Sequence, residues 1–161
     1  MATSLPHVNT FRDLVVYQKS RQLAQEIFQL TKMFPKEELY SLTDQIRRSS
    51  RSVGGQIAEA WAKRRYEAHF ISKLTDGDGE QQETQHWIDI AHGCGYLDAT
   101  KAKDLQQKCE EIGRLINGMI GKSNMFCGSP SQPLRESPAE YLTNHDYDQW
   151  FTHTDDSISL S

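Results

Sequence analysis

No run of about 18 apolar residues exists in this 161-residue chain, so none of it is expected to span a membrane. The first residues, MATSLPHVNTF, lack both the basic flank and the apolar core of a secretory signal. Cysteine is scarce. Cys94, Cys109 and Cys127 are odd in number and show no CxxC spacing, which excludes a disulfide framework and fits reduced thiols in the cytoplasm. Basic residues are not in excess either, and a net charge of −4 argues against a general nucleic-acid binder. Hydrophobic content of 37% with 25% charged residues excludes wholesale disorder, and the length fits one domain with a real core.

The usual signatures of metal and catalytic sites are also missing. Thr75 to Trp87, TDGDGEQQETQHW, opens like a calcium loop, with Asp76, Asp78 and Glu80 at alternate positions. Such a loop needs glycine at its sixth position and glutamate at its twelfth; Gln81 and Trp87 stand there instead. Phe70, Leu74, Gly77, Gln81, Thr84, Ile88 and Ala91 recur at helical steps, so the stretch is expected to be helix. Gly77 then needs a close-packing reason. His86 and His92 are too far apart on a helix for a zinc pair, and Glu83-x-x-His86 lacks the second copy a di-iron bundle requires. Cys94 and Cys109 read as buried thiols rather than nucleophiles. The expectation is a protein with no cofactor, no metal and no enzymatic activity.

Four helical segments are readable. The first carries Val16, Ser20, Leu23, Ala24, Ile27 and Leu30 on one stripe and stops near Pro35. The second is expected from about Glu37 to Tyr66, burying Leu39, Leu42, Ile46, Val53, Ile57, Ala60 and Trp61. Gly54-Gly55 in its middle marks a kink or a close backbone approach. The third ends at HGCGYL, where Gly93 and Gly95 suit a helix terminus. Asp98 is the expected N-cap of the fourth, whose stripe is Ala102, Leu105, Cys109, Ile112, Ile116, Met119 and Ile120. Long amphipathic helices with short loops imply an all-α, antiparallel up-down-up-down four-helix bundle. Residues 1–10 read as an N-terminal arm, 11–122 as the bundle, and 123–161 as a Ser/Pro-rich linker with an acidic tail. The body carries 17 Lys+Arg against 16 Asp+Glu over residues 1–122, whereas residues 123–161 carry 1 against 6. Tyr147, Trp150 and Phe151 make the tail a candidate docking segment rather than a purely solvating one.

The segments FRDLVVYQKSRQLAQEIFQLTKMFP, LTDQIRRSSRSVGGQIAEAWAKRR, FISKL and ETQHWIDIAHGCGYL follow one another in an order and spacing that resembles a known family. These are the bacterial four-helix-bundle proteins first noticed in intervening sequences of large-subunit ribosomal RNA genes. The resemblance covers about residues 11–122 and implies a homopentamer of antiparallel bundles without enzymatic activity. One branch serves as accessory protein of diversity-generating retroelements, so it also implies a reverse transcriptase and nucleic acid as partners. The chain departs from relatives at Gly54-Gly55-Gln56 and in ending IAEA at Ala60, and it is more acidic than the retroelement branch.

The candidate nucleic-acid-binding residues are Arg47, Arg48, Arg51, Lys63, Arg64 and Arg65 of the second helix. At roughly 100° per residue, Arg47, Arg51 and Arg65 share one strip with Gly54, Ala58 and Ala62, which would let a phosphate backbone approach. The same arginines could instead pair with carboxylates of a neighbouring subunit or simply solvate a helix. The function expected is an oligomeric adaptor for nucleic acid or a nucleic-acid enzyme. A structural scaffold for protein partners is the alternative.

Overall fold

The computed structural model describes residues 8–128, and within them the chain is all-helical with no strand. The five α-helices are α1 (Val15–Thr31), α2 (Leu42–Ala62), α3 (Glu67–Gly93), α4 (Ala99–Gly121) and the short α5 (Ser123–Phe126). They form a helical bundle in which α1 lies against α2 and α4, and α3 against α2 and α4. The α2–α3 seam is the most extensive and the α1–α4 seam the least.

Helix α3 bears out its periodicity. The buried positions are Phe70, Leu74, Gly77, Gln81, Thr84, Ile88 and Ala91, the same face the spacing predicts. Gly77 has its packing reason: a Cβ there would sit 3.4 Å from Gln56 Cβ and 3.6 Å from Ile116 Cδ1, so three helices meet over it. The core is completed by Val16, Leu23 and Ile27 of α1, Ile46, Val53 and Ile57 of α2, and Leu105, Ile112 and Ile116 of α4. Each such side chain contributes about 1.5–3 kcal/mol on burial. One polar pair is sunk in this core, where the Thr84 and Ser49 hydroxyls lie 2.9 Å apart across α2 and α3.

The second helix is shorter than its sequence suggests. Lys36–Glu38 forms a separate 3-10 turn and α2 starts only at Leu42, because Ser41 leaves helical geometry (φ −122°, ψ −104°). The Glu38 carboxylate accepts from the Ser41 hydroxyl at 2.5 Å and from the Tyr96 hydroxyl at 3.1 Å, fixing that turn. These bonds, the Ser41 hydroxyl first, hold the Glu38 carboxyl below the ordinary range. At the other end α2 stops at Ala62, where Lys63 and Tyr66 close a turn through Tyr66 N to Lys63 O at 3.0 Å. Leu39, outside the helix, is 45% exposed rather than buried.

The fourth helix begins as its sequence predicts, with the Asp98 carboxylate accepting from Lys101 N at 2.7 Å. Of the two turn glycines before it, Gly95 takes the left-handed conformation (φ 78°). The α1–α4 seam is closed largely by charge. Lys19 pairs with Glu111 at 2.9 Å, and Glu26 accepts from Lys108 at 2.6 Å and from Lys101 at 3.4 Å.

Helix α2 runs unbroken through Gly54-Gly55, and the two glycines differ sharply. A Cβ on Gly54 would lie 3.2 Å from Ser20 Oγ, whereas one on Gly55 would meet nothing within 4 Å. Ser20 is pinned by its bond to Tyr17 O at 2.8 Å and cannot easily yield. Gly55→Ala is therefore expected to raise stability by up to about 1 kcal/mol through helix propensity. Gly54→Ala should lose that gain to the clash; paired urea melts would show the two signs.

Candidate nucleic-acid interface

Phe28 sits in the last two turns of α1 and is half-buried, with its ring facing the cations of α2. Three positive groups converge on it. Lys32 Nζ lies 4.7 Å from the ring centroid, Arg47 Cζ 4.9 Å and Arg51 Cζ 5.4 Å. The ring quadrupole offsets part of their mutual repulsion. Arg47 is also tied down: its Nε donates to Thr31 Oγ1 at 2.7 Å, while that hydroxyl donates to Ile27 O at 2.8 Å. Among the described residues no carboxylate oxygen lies within 4.0 Å of Lys32, Arg47 or Arg51. Lys32 Nζ also donates to Gln29 Oε1 at 2.8 Å. The trio, unneutralised among the described residues, presents two guanidinium groups and an ammonium to an incoming anion.

The other arginines separate from this cluster. Arg48 pairs with Asp44 at 3.7 Å and is largely exposed. Arg64 donates to Trp61 O at 2.7 Å and stacks on the Trp61 ring at 4.2 Å, so it closes the C-terminus of α2. Lys63 is the C-cap residue of α2, and Arg65 lies 5.6 Å from the Tyr66 ring. The strip shared by Arg47, Arg51 and Arg65 requires helix through Tyr66, and α2 ends four residues short of that. Arg47 and Arg51 keep their common face; Arg65 does not join them. Lys32 was not legible as a partner, because it belongs to a different helix and lies off the apolar stripe of α1.

The candidate tail residues Tyr147, Trp150 and Phe151 lie outside the described residues. Glu83 engages Trp87, whose Nε1 donates to it at 3.0 Å, and His86 packs edge-on against the same indole at 4.7 Å. No group of three His, Cys, Asp or Glu side chains that could hold a metal occurs among the described residues. No helix among them is long and apolar enough to cross a membrane.

The thiols correct one expectation. Cys109 is buried, and burial pushes its thiol up to about 12. Cys127 is buried and shifted the same way. Cys94 lies in the turn where its sequence places it, as the C-cap of α3, but it is exposed there rather than buried.

A helical bundle whose cation cluster, on two adjacent helices, has no neutralising carboxylate among the described residues is the class that fold and surface define. The chain belongs to the 23S rRNA-intervening sequence protein family, whose model matches residues 12–118. It is similar to a solved protein of unknown function from the S23 ribosomal protein family of Bacteroides thetaiotaomicron. That match has 30% identity and a TM-score of 0.61, covering 66% of this chain and 96% of the other. No curated protein matches.

Titration of the native chain with a thiol reagent is expected to show one fast cysteine, abolished by Cys94→Ser. Cys109 and Cys127 should react only on unfolding.

Proposed function

We propose that this chain is a non-enzymatic, oligomeric adaptor, an antiparallel up-down-up-down four-helix bundle whose α1/α2 face binds RNA. The carrying observation is the convergence of Lys32, Arg47 and Arg51 on Phe28 with no carboxylate within 4.0 Å among the described residues. Chain direction is supported by the order of cross-helix contacts. Ser20 meets Gly54 and Thr31 meets Arg47; Lys73 meets Glu59 and Thr84 meets Ser49. Gln81 meets Gly113 and Gln85 meets Gln106, while Glu111 meets Lys19 and Lys101 meets Glu26. In each pair one number rises as the other falls.

The family's name favours RNA as the nucleic acid. Phosphate contacts supply affinity without reading sequence, so each copy of the cluster binds weakly. Linked copies in an oligomer gain avidity, and a ring of five is the assembly the family resemblance implies. An enzyme acting on nucleic acid, such as a reverse transcriptase, is the protein partner this adaptor reading calls for. Light scattering that returned the monomer mass of 18.5 kDa at micromolar concentration would remove the oligomer from the proposal.

Binding itself is tested by gel-shift titration of RNA at two salt concentrations. Affinity is expected to fall steeply with salt, and Arg47→Ala with Arg51→Ala should weaken binding and flatten the slope. Changing Arg48 or Arg64 should matter far less. Deleting residues 128–161, which carry 6 Asp+Glu against 1 Arg, is expected to strengthen binding. If the intact and shortened chains both ignore RNA at low salt, the scaffold for protein partners is the better description.

A further inference from the structure

Beside the cation cluster, α1 and α2 leave a groove of about 280 Å³. Its lining includes Phe11, Tyr17, Gly54 and Gly55 together with Arg21 and Arg51. Resting on the RNA-binding reading above, we infer that this groove receives an unpaired nucleobase, so the RNA bound on the α1/α2 face is single-stranded.

Gly55 carries the first part of the argument. A glycine inside a helix destabilises it relative to alanine. Gly77 and Gly54 each have a neighbour that needs the space, whereas a Cβ on Gly55, as on Gly79, Gly93, Gly118 and Gly121, would meet nothing within 4 Å. Of these open helical glycines, Gly55 is the one that lines the α1/α2 groove. Its backbone is ordinary helix, since Gly95 has the positive φ among the glycines of the described residues. Nothing in the described chain uses the room that Gly55 leaves. That space is open to an outside group and belongs to the groove that Phe11 and Tyr17 also line. Phe11 and Tyr17 meet edge to face at 4.8 Å and 85°, and Arg12 covers Phe11 at 4.4 Å.

Size and charge choose the occupant. Small-molecule sites run to roughly 300–1,000 Å³, so this groove is near the lower bound and suits one planar ring system rather than a partner helix. An aliphatic side chain would gain nothing from Arg21 and Arg51, and an aromatic one, though it gains a cation–π contact, would not neutralise their charge. A nucleotide would, because its base is flat and apolar on both faces while its phosphate is anionic. Arg51 belongs to both features: it lines the groove and is one of the three cations around Phe28. A base seated against Tyr17 therefore leaves its phosphate beside a residue already committed to the cationic cluster. Paired bases in an RNA duplex stay stacked and cannot enter such a groove, whereas single-stranded bases can splay out.

The test measures fluorescence anisotropy of the full-length chain with three RNAs of equal length: an unstructured single strand, its duplex, and an abasic strand. The single strand is expected to bind about tenfold tighter than the abasic strand, the scale of one stacked base. Gly55→Leu should fill the groove and erase that difference while leaving abasic binding unchanged. Gly55→Ala, which fits the open space, serves as the folded control with a smaller loss. Equal affinity for all three RNAs, with Arg47→Ala still weakening each, would overturn the nucleobase groove and leave RNA binding standing. Absence of binding to any of the three would instead overturn the RNA reading itself. A change of mass in light scattering on Gly55→Leu, with RNA preference intact, would assign the groove to a second copy and also overturn the inference.

Discussion

The close approach of α1 to α2 at Gly54 is the constraint on which the cationic face depends. Without a side chain at Gly54, Ser20 and the Tyr17 ring seat directly against α2. That contact fixes the register of the two helices, and Thr31 then meets Arg47 farther along. Phe28 lies between these two contacts, and Arg47 and Arg51 are close enough to share its ring. A bulkier residue at Gly54 would hold the helices apart and dissolve the cluster without touching any of its members.

Charge is divided between the helices rather than spread over the bundle. Helix α3 carries six carboxylates and a single lysine, and its Glu80 carboxyl is pushed upward by burial and by Glu83. The α1/α2 face carries the cations that no described carboxylate neutralises. The near-neutral total of the body therefore conceals an uneven division of charge between helices. A net charge summed over a chain says little about phosphate binding when the signs are sorted onto different helices.

Much of the helical core was legible, because burial follows the 3.6-residue period and nothing interrupts it on α3. Gly77 was legible as a packing residue for the same reason. The ends of α2 were not. Its start is set by the Glu38 carboxylate gripping Ser41 and by Tyr96, which is remote in sequence. Its end falls in a stretch with no proline or glycine, where local turn bonds decide. The candidate site inherited that error. Arg65 was placed on a helix that does not reach it, while Lys32 was missed because only the α1–α2 contact brings it to Arg47. The expectation of a buried Cys94 failed at the same kind of place, a helix terminus.

The ion pairs along the α1–α4 seam tie the geometry of the cationic face to the solvent. Lys108 is raised by its bonds to Asp104 and Glu26, and Asp104 is lowered chiefly by Lys108, so the charged forms are mutually supporting. Such half-exposed pairs are each worth about 0–1 kcal/mol and weaken as salt screens them. The helix they latch is α1, which carries Phe28 and is capped by Lys32. Raising ionic strength thus slackens the helix that holds the ring, and under the proposed RNA binding it would also compete for the phosphates. On the RNA-binding proposal, a plot of log affinity against log salt would therefore contain a conformational component, and its slope would overcount the phosphates in contact.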